Sequence, residues 1–173
     1  LNGVQLWDVG VERQVQIKGP DAESLSQFLT PRNIKKCSKG QAMYAPFLDF
    51  KGGFINDPVM LKIDEDCYWF SLADGDALLW AQGIAAGYKF DVDIHEPDVS
   101  PLQVQGPNSK ALMTKVFGDW VNDLGFYRFK EVNHEGIPMV IARMGYSREL
   151  CFEIFLQDQS KGNELWEILW QAG

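Results

Sequence analysis

Asp57 stands in Gly52-Gly53-Phe54-Ile55-Asn56-Asp57-Pro58-Val59-Met60-Leu61, an acid at the mouth of an otherwise apolar strand. A carboxylate in such surroundings is desolvated or hydrogen-bonded, and either condition shifts its pKa as functional acids require. The competing reading is a turn-capping aspartate before proline. Tyr44 lies on the strand leading into the same hairpin, where it can face a ligand or pack in the core; the pattern favours packing. In Arg143-Met144-Gly145-Tyr146-Ser147 a glycine and a short polar residue bracket an aromatic between two strands. Glu153 follows in Cys151-Phe152-Glu153-Ile154-Phe155, a lone acid between aromatics that also fits an ordinary outward-facing strand position.

Other chemistries lose support. His95 and His134 are the only histidines, and neither has a metal-ligand spacing such as His-x-x-x-His, so no metal site is expected. His95 falls in an alternating stretch that reads as a strand, and Asn133-His134-Glu135-Gly136 reads as a hairpin turn. Gly-x-Ser-x-Gly, Gly-x-x-x-x-Gly-Lys and Gly-x-Gly-x-x-Gly are all missing, against a histidine-based hydrolase, a P-loop enzyme and a Rossmann dehydrogenase. Cys37, Cys67 and Cys151 form no Cys-x-x-Cys pair, which suggests reduced thiols in a cytoplasmic setting. Sixteen Lys+Arg against 24 Asp+Glu give a net charge of -8, which repels a phosphate backbone, so no nucleic-acid partner is expected. The basic stretch Arg32, Lys35, Lys36 and Lys39 is a solvated loop or a landing site for an acidic ligand tail. No apolar run approaches the roughly 20 residues that span a bilayer, so no membrane partner is expected either.

The elements that must position these residues alternate between strand and helix. Arg13 to Ile17 is apolar at every second position and ends at Gly19-Pro20, a strand; Asp21 then caps a helix with Leu25, Phe28 and Leu29 on one face. Strands follow around Met43–Leu48 and Pro58–Ile63, joined through Lys51-Gly52-Gly53, and at Tyr68–Leu72 after the polar turn Asp64-Glu65-Asp66. A helix over Ala77–Ala86 and a strand at Val92-Asp93-Ile94 complete a β-α-β-β-β-α-β order, close to a ferredoxin-like sandwich. Its opening then recurs: residues 15–25 match residues 102–112, with strand, Gly-Pro turn, polar cap and first buried leucine in step. Strands near Tyr127–Val132, Pro138–Ala142 and Cys151–Leu156 and a helix over Glu164–Ala172 continue the second copy. At 173 residues, 46% hydrophobic, the chain fits an α+β protein of two related units of about 80 residues.

Leu6-Trp7-Asp8-Val9-Gly10-Val11-Glu12-Arg13-Gln14-Val15, Gly53 to Val59, Ser71-Leu72-Ala73-Asp74, Leu102 to Pro107, and Arg143 to Ser147 with Phe152-Glu153-Ile154 together resemble the glycine-cleavage T-protein family over the whole length of the chain. Trp-Asp-Val-x-x-Glu-Arg-Gln-Val, Asn-Asp-Pro-Val and Glu96-Pro97 look most like its dimethylsulfoniopropionate demethylase branch. The resemblance implies tetrahydrofolate-dependent transfer of a methyl or aminomethyl group from a small-molecule one-carbon donor, with a lipoyl carrier protein as partner in the aminomethyl case. It implies a cloverleaf whose third, β-rich domain is absent here: residues 12–97 would be the second domain, and 1–11 plus 98–173 part of the first. The chain is therefore expected to be a piece that does not catalyse alone.

By motif position, the resemblance makes Asp57 the acid near the reactive folate nitrogens and Tyr44, Tyr146 and Glu153 folate-binding. Glu153 would accept two parallel hydrogen bonds from an aminopyrimidine edge. Ser71, Leu61 and Phe155 fall in the substrate pocket. Leu61 replaces an aminomethyltransferase tyrosine and Ser71 matches the demethylase, whereas Tyr146 and Phe155 replace a demethylase tryptophan and tyrosine. The donor is thus left open between sulfonium and aminomethyl compounds. A folate-binding, non-transferring relative in iron-sulfur assembly and a fused dehydrogenase module are the alternatives. No oligomeric state is assigned.

Overall fold

The computed structural model describes residues 3–73, 76–147 and 149–173; Asp74 of the Ser71-to-Asp74 motif lies outside them, as do Leu1 and Asn2. In chain order the elements are β1 (Gln5–Asp8), β2 (Arg13–Lys18), α1 (Ala22–Leu29), β3 (Ala42–Tyr44), β4 (Phe47–Leu48), β5 (Phe54–Asn56), β6 (Val59–Asp64), β7 (Cys67–Leu72), α2 (Ala77–Tyr88), β8 (Asp93–His95), β9 (Ser100–Gln105), α3 (Ser109–Phe117), β10 (Phe129–His134), β11 (Ile137–Ala142), β12 (Cys151–Leu156) and α4 (Gly162–Ala172). Contacts divide the chain into one unit of residues 11–97 and another of residues 1–10 with 98–173.

In the unit of residues 11–97 an antiparallel sheet runs β3-β6-β7-β2-β8, and β4-β5 is a separate hairpin. Strand alternation places Val15, Ile17, Met60, Tyr68, Phe70 and Leu72 on one face, where they form the core with Ala22, Leu25 and Leu29 of α1 and Ala77, Ala81 and Ile84 of α2. The other unit has the same plan. Its sheet runs β1-β9-β12-β11-β10, and Leu102, Val104, Ile141, Phe152 and Ile154 meet Leu112 and Met113 of α3 and Leu165 and Leu169 of α4. The last place in this second sheet is filled by β1, from the start of the chain, where β8 stands in the first.

The repeat seen in the sequence is a repeat of backbone geometry. Gly19 and Gly106 both have positive φ, 140° and 116°, and both approach a backbone carbonyl of the completing strand's lead-in. A Cβ on Gly19 would lie 2.8 Å from the Asp91 carbonyl oxygen, and one on Gly106 would lie 2.6 Å from that of Gly3. Each glycine N–H also donates to the carbonyl of the residue leading into the central strand of its sheet, Asp66 before β7 and Leu150 before β12. Only glycine meets both conditions, left-handed backbone and no room for a side chain.

Several boundaries differ from the sequence reading. The Met43–Leu48 strand is interrupted at Ala45-Pro46, because proline offers no N–H to a ladder; the Ala45 N–H turns instead to the Pro58 carbonyl. Asp21 precedes α1 but does not cap it, since its carboxylate accepts the Asp91 N–H across the unit. Phe28, expected on the apolar face of α1, is 44% exposed and lies against Tyr88 with ring centroids 4.7 Å apart. His134 ends β10, and Glu135-Gly136 alone make the hairpin turn with φ of 54° and 86°, as a type I′ turn requires. Gln5–Asp8 carries no strand signal of its own in the sequence, yet it is an edge strand whose partner, β9, lies about a hundred residues away. Among the described residues no helix is long and apolar enough to cross a membrane.

One charge is buried in the first unit. Lys62 on β6 is 6% exposed, its ammonium 2.8 Å from the Glu65 carboxylate and 5.8 Å from the Tyr68 ring centre. The hydrogen bond to Glu65 outweighs the desolvation and raises its pKa above 10.5. A lysine whose folded pKa is raised stabilises the fold fully below its unfolded pKa, and the contribution disappears as pH rises through the folded value. The stability advantage of wild type over Glu65→Gln should therefore stay level from pH 7 to 9 and shrink above about pH 10.5, read as denaturation midpoints. Gly19→Ala and Gly106→Ala should each lower stability by about 2 kcal/mol or more in chemical denaturation, through strain and backbone clash together.

Candidate functional site

The second face of each sheet, turned away from the helices, carries the polar residues. In the first unit one row crosses the sheet as Tyr44, Val59, Ser71 and Gln14, each opposite the next. The adjacent row is Ala42, Leu61, Trp69, Gln16 and His95. Three sequence-selected residues, Tyr44, Leu61 and Ser71, thus share one face. Tyr44 is 39% exposed at the sheet edge rather than packed in the core, while Leu61 and Ser71 are buried. Asp57 lies in the link between β5 and β6, two residues before Val59 of the first row. Its surroundings correct the desolvation expected from the sequence: Asp57 is exposed, and its own N–H donates to the Asn56 side-chain oxygen at 2.8 Å. The apolar pattern around it belongs to β5 and β6, which end before and begin after the acid.

Polar groups buried on this face are cross-linked. The Gln14 amide donates to Ser71 Oγ at 3.1 Å and to the Glu12 carbonyl at 3.3 Å. That carbonyl can only accept, which fixes the amide orientation and leaves Gln14 Oε1 buried without a partner among the described residues. Burial also pushes the Glu12 carboxyl above its ordinary pKa. In the second row the Trp69 indole N–H donates to Gln16 Oε1 at 2.9 Å, so the Gln16 amide nitrogen faces His95 Nε2 at 3.4 Å. His95 Nδ1 is 2.6 Å from Asp93.

In the second unit the row equivalent to that of Trp69 reads Phe129, Ala142, Glu153, Gln103 and Trp7. Glu153 takes the place of Trp69, is 9% exposed, and faces away from the helices. It is outward-facing with respect to its own core and still shielded from water. Phe155 follows on the same face, fully buried beside Val140 and Pro101. Tyr146 stands on the loop between β11 and β12, 99% exposed. The basic stretch is partly spent on local acids: Lys35 lies 3.9 Å from Glu23, and Lys39 lies 3.0 Å from Asp64, whose carboxyl its hydrogen bond holds below the usual value. No group of three or more His, Cys, Asp or Glu able to hold a metal occurs among the described residues.

Sequence reasoning passed over Gln14, Gln16, Trp69 and Gln103. Alternating glutamines in Gln-Val-Gln-Ile and Leu-Gln-Val-Gln look like solvent-facing positions; the available signal was that both copies of the repeat carry glutamine at the same place.

A duplicated sheet with helices on one face and a buried polar row on the other defines an α+β scaffold built to present side chains from sheet faces. The chain belongs to the GCVT N-terminal domain family, whose profile matches residues 1–173. It is 48% identical over 170 residues to dimethylsulfoniopropionate demethylase DmdA of Ruegeria pomeroyi, covering 98% of this chain and 47% of that protein. An aminomethyltransferase of Chlorobium limicola is 32% identical over 173 residues, covering 97% of this chain and 48% of the relative. The chain thus spans about half the length of the curated relatives it matches. The glycine cleavage system aminomethyltransferase T of Bartonella henselae shares the fold, with a TM-score of 0.86 and 23% identity over 97% of this chain and 45% of that one.

Gln16→Leu strands the buried Trp69 indole N–H and should cost about 1–3 kcal/mol in urea denaturation. Adding Trp69→Phe removes the stranded donor, so the double variant should recover much of that loss.

Proposed function

We propose that the protein is a tetrahydrofolate-dependent one-carbon transferase moving a methyl group from a sulfonium donor. The observation that carries the reading is Glu153, a shielded carboxylate at the centre of the polar face of its sheet, in a chain 48% identical to a sulfonium demethylase over this region. Tetrahydrofolate supplies the nitrogen nucleophile. Glu153 can accept two parallel N–H donors from an aminopyrimidine edge and so fixes the orientation of the pterin. Tyr146 and Tyr44, both exposed, offer aromatic faces to the pterin or to the sulfonium cation. Ser71 and Leu61 in one unit, and Phe155 in the other, are the motif-matched candidates for donor recognition.

The methyl carbon gains a bond to nitrogen as its bond to sulfur breaks, and the electron pair leaves on sulfur as a neutral thioether. No general acid is needed for that leaving group. The work of the side chains is alignment of donor and nucleophile. Asp57, which is solvent-accessible, polarises the attacking N–H and takes up the proton that the nitrogen releases. In this reading residues 12–97 are the second cloverleaf domain and 1–11 with 98–173 belong to the first. The setting is cytoplasmic, in keeping with three widely spaced cysteines that form no Cys-x-x-Cys pair.

A second reading, aminomethyl transfer from a lipoyl carrier, is favoured by the similarity to aminomethyltransferases. Asp57 would then hold the amine as ammonia departs.

Isothermal titration of the full-length protein with tetrahydrofolate should show binding, and Glu153→Ala should weaken it at least tenfold. Asp57→Asn should lower kcat about 100-fold with folate affinity nearly unchanged. Mass spectrometry of the folate product separates the donors: methyl-folate from dimethylsulfoniopropionate supports the first reading, methylene-folate from an aminomethyl donor the second. Turnover of neither, or folate binding indifferent to Glu153→Ala, would sink the proposal.

A further inference from the structure

Tyr146 is 99% exposed, yet the described residues on either side of it in the loop are tied down. At the near end the Arg143 N–H donates to the Arg128 carbonyl and the Arg143 carbonyl accepts the Tyr127 N–H, both at 2.9 Å. The Arg143 guanidinium also donates to the Leu124 carbonyl at 3.1 Å. At the far end the Leu150 carbonyl accepts two hydrogen bonds, from the Gly106 N–H at 2.9 Å and from the hydroxyl of the buried Ser109 at 3.0 Å.

The residues flanking Tyr146 are fixed as well. Gly145 sits so close to Cys151 that a Cβ would lie 2.6 Å from its Sγ and 3.2 Å from the Gln103 amide. Met144 before it is buried. On the other side the Ser147 hydroxyl donates to Gln105 Oε1 at 2.8 Å and accepts the Glu149 N–H at 3.3 Å. Gln105 is a strand residue, paired with both Gln5 and Cys151, so the loop is tied to a rigid element rather than to another loop.

An exposed aromatic on a freely moving loop would lose conformational entropy on meeting a ligand. Here that ordering is built into the free protein by contacts that do not involve the tyrosine ring. We propose that Ser147 and Gln105 form a latch that preorganises Tyr146, making Ser147 a positioning residue for the ligand that Tyr146 faces. The proposal rests on the folate reading above for the identity of that ligand, and on the loop geometry alone for the latch. The hydroxyl is the working group: it is at once donor to Gln105 and acceptor from Glu149, which an alanine cannot imitate and a threonine can.

The test uses full-length protein in two arms. Hydrogen exchange reads the latch without ligand: in Ser147→Ala the amides of Gly145, Tyr146, Ser147 and Glu149 should exchange about three- to tenfold faster, with β11 and β12 unaffected. Titration with tetrahydrofolate reads its consequence: Ser147→Ala should weaken binding about three- to tenfold, Ser147→Thr should restore it, and kcat at saturating folate should change less than twofold. Gln105→Leu should match Ser147→Ala, and the double variant should be no worse than either alone. Unchanged exchange in Ser147→Ala, or additive losses in the double variant, overturns the latch. Wild-type protein that binds no folate overturns the folate reading, and the exchange arm still decides the latch. A lowered melting temperature with exchange faster throughout the unit marks Ser147 as merely structural and also overturns it.

Discussion

Each half of this protein depends on one close approach of backbone to backbone. Gly19 and Gly106 turn the chain from β2 into α1 and from β9 into α3, and in doing so press against the carbonyl that leads into the neighbouring edge strand, β8 or β1. The approach ties each strand-to-helix turn to the strand that completes the sheet edge. It also explains how β1, from the start of the chain, can complete a sheet whose other members follow residue 98: the contact asks for a carbonyl in the right place, whatever the order of the chain. Gly3 supplies it in one unit and Asp91 in the other.

With that closure shared, the two copies diverged on the sheet face that the helices leave uncovered. A buried polar group needs a partner, so every polar residue placed there brings a second one with it. In the first unit Trp69 is held by Gln16, and Gln14 bridges to Ser71. In the second, the position of Trp69 holds Glu153 and that of Gln16 holds Gln103. One scaffold therefore offers an aromatic-lined row with a serine and, in its copy, a row centred on a carboxylate. The first suits an uncharged or cationic group, the second a group rich in N–H donors.

The candidate site residues differ in how they are supported. Glu153, Ser71 and Leu61 stand on central strands and are fixed by ladder hydrogen bonds on both sides. Asp57 and Tyr146 stand on links between strands and are exposed. Strands give precise placement, and links give reach. The pinned loop around Tyr146 combines the two by borrowing its rigidity from β9 and β12.

Most of the element plan is legible in the amino-acid sequence. Strand alternation at Arg13–Ile17 and Cys151–Leu156, the Gly-Pro turns and the repeated eleven residues are local signals, and local signals survive without knowledge of the partner strand. Family motifs pointed to Tyr44, Asp57, Tyr146 and Glu153 as residues of interest. What the tertiary structure decided was their surroundings. Asp57 sits among apolar neighbours in sequence but outside both flanking strands, so it is solvated; Gln14 and Gln16 look solvent-facing in sequence but lie on a sheet face that is shielded too. Burial on the second face of a sheet, and the pairing of β1 with a strand about a hundred residues away, depend on what is brought near from elsewhere in the chain, and a two-residue period carries no record of that.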